Sequence, residues 1–271
     1  MRPSRQRGID AFVFTVDPAF AGAAVRAGAA GVIVDWERRG KRERQAGVDT
    51  QVNSDTADDL ARVRAATPGT VLCRVNGWGA WSEAEIEHAV ALGADEVLLP
   101  MVRRPEEVDA ALAVVDGRCR LGILVETTEA VRRVEELVHR PVSRVYVGLN
   151  DLMIDRGGRN LFAALVDGTV EEVRAAVPRD VPFGVAGLTR PEAGRPVPSR
   201  LLAAELARLG ASFTFLRRSF HADIAGRDLD VELPRITGAV AAARGRPHRE
   251  QEADRAELVA LVDDLLVDEA V

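Results

Sequence analysis

Short apolar runs, in which hydrophobic and polar residues do not alternate, recur along the chain, and segments with helical spacing separate them. Such runs are typical of strands that are buried on both faces of a parallel sheet. The eight predicted strands cover residues 10–15, 31–36, 70–75, 96–99, 121–125, 144–147, 182–185 and 212–216. Their alternation with helices predicts an α/β fold with a parallel sheet.

The segments between the strands contain signals for the starts of helices. Ser54 can cap a helix over residues 54–66, and Ser82 followed by Glu85 forms a capping box for the next helix. Pro105 suits the first turn of another helix. Strict alternation of strands and helices predicts a (β/α)8 TIM barrel. An open doubly wound sheet is the alternative, but no glycine-rich nucleotide-binding motif follows the first strand.

The predicted barrel covers residues 1–245, and an additional C-terminal helix forms an extension over residues 246–271. The apolar residues of this extension recur at helical spacing and form one stripe, made of Leu258, Leu261, Val262, Leu265 and Leu266. Such a stripe has to be buried. Either the outside of the barrel or a neighbouring subunit could cover it, and we slightly favour the subunit.

Composition excludes several classes of protein. The 271 residues include 36 basic and 42 acidic ones, so no basic face for nucleic acid is expected. The first apolar run is interrupted by Asp17 and Pro18, which predicts neither a signal peptide nor a membrane span. Cys73 and Cys119 are far apart and form no CxxC motif. We therefore expect reduced core cysteines and a cytoplasmic protein.

The positions of the lysine and of the histidines disfavour two types of chemistry. Lys41 is the only lysine and lies in a charged loop, whereas Schiff-base and pyridoxal chemistry need a lysine amine in the pocket. The four histidines have no metal-ligand spacing, so a zinc site built on histidine or cysteine is not expected.

Charged residues follow several of the predicted strands. They are Asp35 and Glu37 after the second strand, Arg74 after the third, Glu126 after the fifth, Asp151 after the sixth, and Arg217 with Arg218 after the eighth. Consecutive parallel strands lie about 5 Å apart, so the carboxylates of Glu126 and Asp151 can converge. Two such acids would repel each other without a cation between them, which predicts a site for a hard divalent ion. For any single residue, a loop carboxylate or a salt bridge is the alternative.

Four motifs are similar to those of a known family. RVN at 74–76, LLPMV at 98–102, ILVET at 123–127 and GLNDL at 148–152 resemble the HpcH/HpaI aldolase and citrate lyase beta-subunit (CitE-like) family, in order and spacing. The resemblance implies a metal-dependent (β/α)8 barrel that makes or cleaves carbon–carbon bonds next to a carboxylate. It also implies a homo-oligomer, usually a trimer or hexamer.

The resemblance implies roles for individual residues. Glu126 and Asp151 would be ligands of Mg²⁺ or Mn²⁺, and Arg74 would hold the carboxylate or oxo group of the substrate. Two protein carboxylates leave metal positions open for water and a 2-oxo acid, whose cleavage would leave an enolate of pyruvate or a related acid. From the glycine and the loop position, we expect the backbone N–H groups of Gly148, Asn150 and Asp151 to receive the substrate carboxylate.

The loop after the second strand differs from the aldolase branch, which usually carries a Glu-His pair there. Arg38 stands where the histidine would be. Asp35 and Glu37, followed by Lys41 and Arg44, look more like the citrate lyase branch, which commonly acts on acyl-CoA thioesters.

The substrate therefore remains open between a free 2-oxo or hydroxy acid and a hydroxyacyl-CoA of the malyl or citramalyl type. A thioesterase and a barrel that only binds a metabolite are further possibilities. We expect Arg74, Glu37 and Asp35 to be catalytic. The proton acceptor would be a metal-bound water, then Glu37, then His221.

Overall fold

The computed structural model describes residues 8–39 and 55–268. Its eight strands form a closed barrel in chain order, and each strand runs parallel to its neighbours. The strands are β1 (Asp10–Phe14), β2 (Gly31–Asp35), β3 (Thr70–Arg74), β4 (Glu96–Leu99), β5 (Arg120–Val125), β6 (Arg144–Val147), β7 (Phe183–Leu188) and β8 (Phe213–Leu216). The predicted TIM barrel is confirmed.

Helices follow the strands and form the outer layer of the barrel. In the described part of the chain they are α1 (Pro18–Arg26), α2 (Ala57–Ala66), α3 (Ser82–Ala91), α4 (Pro105–Val115), α5 (Thr128–Arg132), α6 (Val134–Val138), α7 (Leu149–Asp155), α8 (Ala163–Val166), α9 (Thr169–Ala176), α10 (Ser199–Arg208), α11 (Phe220–Asp223), α12 (Leu229–Arg244) and α13 (His248–Asp268). No helix among these combines the length and the apolar character of a membrane span.

Two of the predicted helix starts differ from the structure. Helix α2 begins at Ala57 because Thr56 and Asp59 cap it reciprocally, while Ser54 lies outside the described residues. Helix α3 begins at Ser82, but the expected capping box is wrong. The Ser82 hydroxyl accepts a hydrogen bond from the N–H of Gly79, and Glu85 accepts one from the N–H of Asn76.

Strand β7 extends beyond its predicted end. Its pairing with β8 shifts register between Gly184 and Gly187, and Ala186 between them has a φ of 54°. An extra residue in one strand produces a bulge of this kind, which bends the strand and redirects its end. The bulge therefore shapes the wall of the barrel mouth beside β8.

The barrel interior is packed rather than open. Its side chains form a separate apolar cluster, made of Phe12, Ile33, Leu72, Leu98, Leu124, Tyr146, Phe213 and Phe215. At the N-terminal ends of the strands, Glu96 and Arg144 form a buried ion pair with 2.6 Å between Oε1 and Nε. The Arg144 guanidinium makes cation–π contacts with the rings of Phe12 and Phe213, with its Cζ 4.6 and 4.8 Å from the ring centroids. The cavity of the barrel therefore opens at the opposite, C-terminal mouth.

The C-terminal helix α13 packs on helices α8 and α10 of its own barrel. Leu258 and Val262 of the stripe are buried there, and the Nδ2 of Asn160 donates a 3.0 Å hydrogen bond to the carbonyl of Val262. Arg255 donates to Glu205 of α10 at 2.9 Å. The chain therefore buries Leu258 and Val262 itself, while the packing of the extension on a neighbouring subunit stays a prediction.

Candidate active site

A cavity of about 920 Å³ opens at the C-terminal mouth of the barrel. Most of the expected site residues line it, namely Asp35, Arg74, Glu126, Gly148, Asn150 and Asp151. Glu37 lies just behind them and contacts Arg74. The structure thus brings the predicted residues together at one end of the barrel, where the ends of β2, β3, β5 and β6 meet.

Arg74 is held by two buried carboxylates from the end of β2. Residues 35 and 74 are register partners in the β2–β3 pair. The guanidinium binds Asp35 through both ends of its fork, with Nε–Oδ1 at 2.8 Å and Nη2–Oδ2 at 2.7 Å. Its Nη1 lies 3.3 Å from Oε2 of Glu37. A bidentate pair fixes the plane of the guanidinium, so Arg74 is oriented before any ligand arrives.

Glu126 is buried at the end of β5, with 1% of its surface exposed. Its Oε1 accepts a 2.8 Å hydrogen bond from the N–H of Met101. Burial, the charge of Asp151 and the charge of Glu37 raise the pKa of Glu126 well above its ordinary value, and Arg74 opposes them. The cavity thus contains a carboxylate that a further positive charge would stabilise.

The residues present fit a divalent cation. Four acidic residues are buried at this end of the cavity, namely Asp35, Glu37, Glu126 and Asp151. The guanidinium of Arg74 pairs with two of them, Asp35 and Glu37. Carboxylate oxygens are the donors that Mg²⁺ and Mn²⁺ prefer. The described residues include no group of three or more histidine, cysteine or acidic side chains arranged for a metal. Glu126 and Asp151 are the two lining carboxylates that would hold an ion here.

Gly148 has a different role from the expected one. Its N–H donates to the carbonyl of Val125 at 3.1 Å, so this group does not point at a ligand. A β-carbon at residue 148 would lie 2.2 Å from Oε2 of Glu126. The absence of a side chain at Gly148 therefore leaves room for the Glu126 carboxylate. Asn150 and Asp151 belong to the first turn of α7, where backbone N–H groups have no partner within the helix.

Met101 is a site residue that the sequence did not reveal. It follows β4 with a φ of 55°, a left-handed conformation that is uncommon for a residue other than glycine. This conformation directs its N–H at Glu126. The segment Pro100–Met101 contains no glycine that would have indicated such a turn.

Asp55 also lines the cavity and was not expected. Its Oδ2 accepts a 2.8 Å hydrogen bond from the N–H of Asp35, and burial, opposed by that bond, raises its pKa. Asp55 precedes a helix rather than following an apolar run, so the search for acids at strand ends could not find it.

The loop after β2 is organised by Asn76. Its Oδ1 accepts hydrogen bonds from the N–H groups of Arg38 and Arg39 at 2.8 and 2.7 Å. The side chain of Arg38 is exposed and does not line the cavity, so it does not replace the aldolase histidine. Lys41 and Arg44, the other basic residues expected here, lie outside the described residues.

His221 and Tyr146 line the same cavity. Nε2 of His221, in the short helix α11, lies 2.8 Å from the carbonyl oxygen of Phe14, which is an ordinary hydrogen bond. The hydroxyl of Tyr146 donates to the carbonyl of Ala186 at 2.7 Å, and burial raises its pKa. Tyr146 therefore stays protonated and forms part of the cavity floor.

No protein-family model matches the sequence, and no curated protein matches it. Among solved structures, RipC from Yersinia pestis is 15% identical and aligns over 92% of this chain and 99% of its own, with a TM-score of 0.59. An HpcH/HpaI aldolase/citrate lyase family protein from Burkholderia cenocepacia is 16% identical over 79% of this chain and 89% of its own, with a TM-score of 0.61. The HpcH/HpaI aldolase from Desulfitobacterium hafniense is 17% identical over 89% and 95%, with a TM-score of 0.60. In fold, the chain is similar to structures from the family that its four strand-end motifs resemble.

Proposed function

We propose that this chain belongs to the HpcH/HpaI type and is a divalent-metal-dependent carbon–carbon lyase. It would cleave or form a bond in a 2-oxo or hydroxy acid through an enolate of pyruvate or a related acid. The observation that carries the proposal is the buried pair of Glu126 and Asp151, which lines one cavity with the preoriented guanidinium of Arg74. A homo-oligomer, as a trimer or hexamer, is part of the same proposal.

Glu126 and Asp151 would hold Mg²⁺ or Mn²⁺, which would act as a Lewis acid toward the oxygens of the substrate. Arg74 donates hydrogen bonds to the carboxylate or oxo group of the substrate. Because Asp35 and Glu37 already fix its orientation, the guanidinium stabilises negative charge where it develops, without reorganising during the reaction. In this proposal, Asp35 is a positioning residue, supported by its bidentate contact with Arg74.

A proton acceptor among the chain's own groups is Glu37. It is buried beside Arg74 and stands at the end of β2, across from Glu126. His221 is the second candidate, because its Nε2 bond to Phe14 leaves Nδ1 able to accept a proton. The rate of pyruvate proton exchange in a Glu37→Gln variant distinguishes Glu37 from His221 as the proton acceptor.

The exchange of pyruvate methyl protons for deuterium tests the proposed function. We expect exchange in the presence of Mg²⁺ or Mn²⁺, its loss with a chelator, and a parallel loss of metal affinity in Glu126→Gln and Asp151→Asn. Arg118→Met is the control, because Arg118 pairs with Glu87 on the outside of the barrel. No exchange with any metal or 2-oxo acid would contradict the proposal.

A hydroxyacyl-CoA lyase or thioesterase is the second candidate. Its support is the set of arginines at the rim of the cavity, Arg195, Arg217 and Arg218, which could contact the phosphates of a coenzyme. Incubation with malyl-CoA and citramalyl-CoA, followed by an assay for free thiol, tests this candidate. Release of thiol without exchange of pyruvate protons would favour it over the aldolase.

A further inference from the structure

We infer that Asp55 is a further catalytic residue, which accepts the proton of the substrate hydroxyl when the carbon–carbon bond breaks. The inference rests on the proposed function, because a hydroxyl takes part only if the chain cleaves a hydroxy acid. Glu37 and His221 stay the candidates for proton transfer at the methyl carbon of pyruvate. Asp55 lines the same cavity as Arg74, so its carboxylate can contact a ligand that Arg74 binds.

Two hydrogen bonds fasten the residues before helix α2 to the end of strand β2. The N–H of Asp35 donates to Oδ2 of Asp55 at 2.8 Å, and Nε1 of Trp36 donates to the carbonyl of Thr56 at 3.1 Å. Thr56 also caps helix α2, which fixes the backbone directly after Asp55. The Asp55 carboxylate is therefore held in place at the cavity, as a group that transfers protons to or from a ligand requires.

Asp55 lies at the wall of the cavity above strand β1. Residues two positions apart in a strand direct their backbone groups to the same neighbouring strand. The carbonyl of Ile33 in β2 accepts a hydrogen bond from the N–H of Thr15, which follows β1. The N–H of Asp35 therefore also faces the β1 side, where it meets Asp55. Asp55 thus takes the place that a further residue of β1 would occupy.

This wall lies across the cavity from the carboxylates that would hold the ion. Strand β1 is four positions from β5 in the closed barrel, so the ends of these two strands face each other. Glu126 follows β5, and Asp151 follows β6, the neighbour of β5. An acid bound through its carboxylate and oxo oxygens near Glu126 would therefore direct its remaining carbons, and the hydroxyl on them, toward Asp55.

One oxygen of the Asp55 carboxylate is available to a substrate. Its Oδ2 accepts the bond from Asp35, but within residues 8–39 and 55–268 no group donates a hydrogen bond to its Oδ1. Both oxygens of Asp35, by contrast, are bound by Arg74, and Glu37 contacts Arg74 from behind the cavity wall. Asp55 can therefore accept a hydrogen bond from a hydroxyl without giving up one that it already has.

The surroundings of Asp55 make it more basic than a solvated aspartate. Burial raises the pKa of Asp55, and the charges of Asp35 and Asp59 act in the same direction. The hydrogen bond from Asp35 and the charge of Arg74 oppose this rise. A carboxylate with a raised pKa is a more effective proton acceptor in catalysis.

The step transfers one proton and moves one electron pair. The hydroxyl proton of a 4-hydroxy-2-oxo acid passes to Asp55, the hydroxyl oxygen becomes the carbonyl oxygen of an aldehyde, and the bond between C3 and C4 breaks. The electrons of that bond form the enolate of pyruvate, which the guanidinium of Arg74 stabilises. A proton from Glu37, His221 or water then adds to C3, and Asp55 returns its proton to the solvent.

The ratio of two rates, measured on the whole protein with Mg²⁺ or Mn²⁺, tests the inference. One is the release of pyruvate from 4-hydroxy-2-oxopentanoate, 4-hydroxy-2-oxohexanoate or 4-hydroxy-2-oxoglutarate. The other is the exchange of pyruvate methyl protons, which involves no hydroxyl. Asp55→Asn keeps an oxygen for the N–H of Asp35 but accepts no proton. We expect this variant to lower the ratio of cleavage to exchange about a hundredfold or more, and Asp55→Glu to recover part of it.

A purely structural role for Asp55 predicts different results. If Asp55 only fastened the chain to β2, Asp55→Asn would leave the ratio unchanged and Asp55→Ala would lower both rates in parallel, and either result would overturn the inference. A ratio that falls in His221→Gln but not in Asp55→Asn would overturn it as well. Asp109→Asn is the control and should keep both rates, since Asp109 binds Arg140 on the outside of the barrel.

Failure of this inference is distinguishable from failure of the proposed function. Missing exchange of pyruvate protons in the wild type contradicts the lyase itself. Exchange without cleavage of any of the three hydroxy acids would leave the enolate chemistry in place. It would remove the role of Asp55, because no hydroxyl proton would then be transferred.

Discussion

Glu126 packs so closely on Gly148 that a β-carbon at residue 148 would overlap Oε2 of the glutamate. The two residues stand on neighbouring strands or their ends, since β5 pairs with β6 in parallel. The carboxylate therefore keeps its place only while residue 148 lacks a side chain. This contact links the position of the candidate metal ligand to one glycine.

Gly148→Ala should displace the Glu126 carboxylate. We expect at least a tenfold loss of affinity for Mn²⁺, because a ligand that moves by about an ångström no longer reaches the ion. Titration with Mn²⁺ measures this loss. Gly238→Ala is the control, since a β-carbon there meets nothing within 4 Å and should stabilise helix α12 by about 0.5–1 kcal/mol. Equal metal affinity in both variants would show that Gly148 does not position Glu126.

Asp35→Asn should lower the rate of pyruvate proton exchange by about ten- to a hundredfold, because Arg74 loses its charged, bidentate partner. Kinetics in deuterium oxide measure the rate, and circular dichroism verifies folding. Asp109→Asn provides a matched control, since Asp109 binds Arg140 through the same fork on the outside of the barrel. Equal rates in the two variants would argue against a positioning role for Asp35.

Asp155 at the end of helix α7 binds Arg103 after β4 and Thr128 after β5, and its contribution to stability should depend on pH. Burial alone would raise its pKa, but hydrogen bonds from Thr128 and Arg103 outweigh burial and lower it. An acid whose pKa is lowered by folding stabilises the protein above its unfolded-state pKa, about 3.9, and loses this effect as pH falls through the folded-state value.

Asp155→Asn should therefore reduce the free energy of unfolding at pH 7 by about 1–2 kcal/mol. The difference from the wild type should shrink below about pH 4. Urea unfolding across this range measures both effects. A difference that stays constant down to acidic pH would mean that the charge of Asp155 is not responsible.

Leu258→Ala should destabilise the protein by about 2–4 kcal/mol, because the side chain is fully buried against the barrel. Val231→Ala is the comparison, since Val231 is half exposed and its loss should change stability by less than about 0.5 kcal/mol. Chemical unfolding of both variants gives the values. Similar, small effects would indicate that helix α13 does not pack on its own barrel in solution.

The sequence predicted the barrel and the convergence of Asp35, Arg74, Glu126 and Asp151 because both follow from where apolar runs end. In a parallel barrel the strand ends meet at one mouth, so residues distant in the chain become neighbours without further information. The same reasoning could not reveal features that depend on a single backbone angle, such as the left-handed conformation of Met101.

Two further features could not be read from the sequence, for physical reasons. The sequence predicts that the N–H of Gly148 donates to the substrate, but this N–H donates to the carbonyl of Val125. A glycine is needed at residue 148 because a β-carbon there would overlap the Glu126 carboxylate. The C-terminal stripe looked like a subunit contact because eight helices already surround the barrel. The short helix α8 instead contributes, with α10, a surface that α13 covers. Local periodicity shows that a stripe must be buried but not which surface buries it.

The ion pair of Glu96 and Arg144, whose guanidinium lies near the rings of Phe12 and Phe213, plugs the barrel beneath the cavity. A ligand of this cavity must therefore enter and leave through the C-terminal mouth of the barrel. In the proposed reaction, both products would therefore leave through the mouth by which the substrate entered, so each product could obstruct the exit of the other.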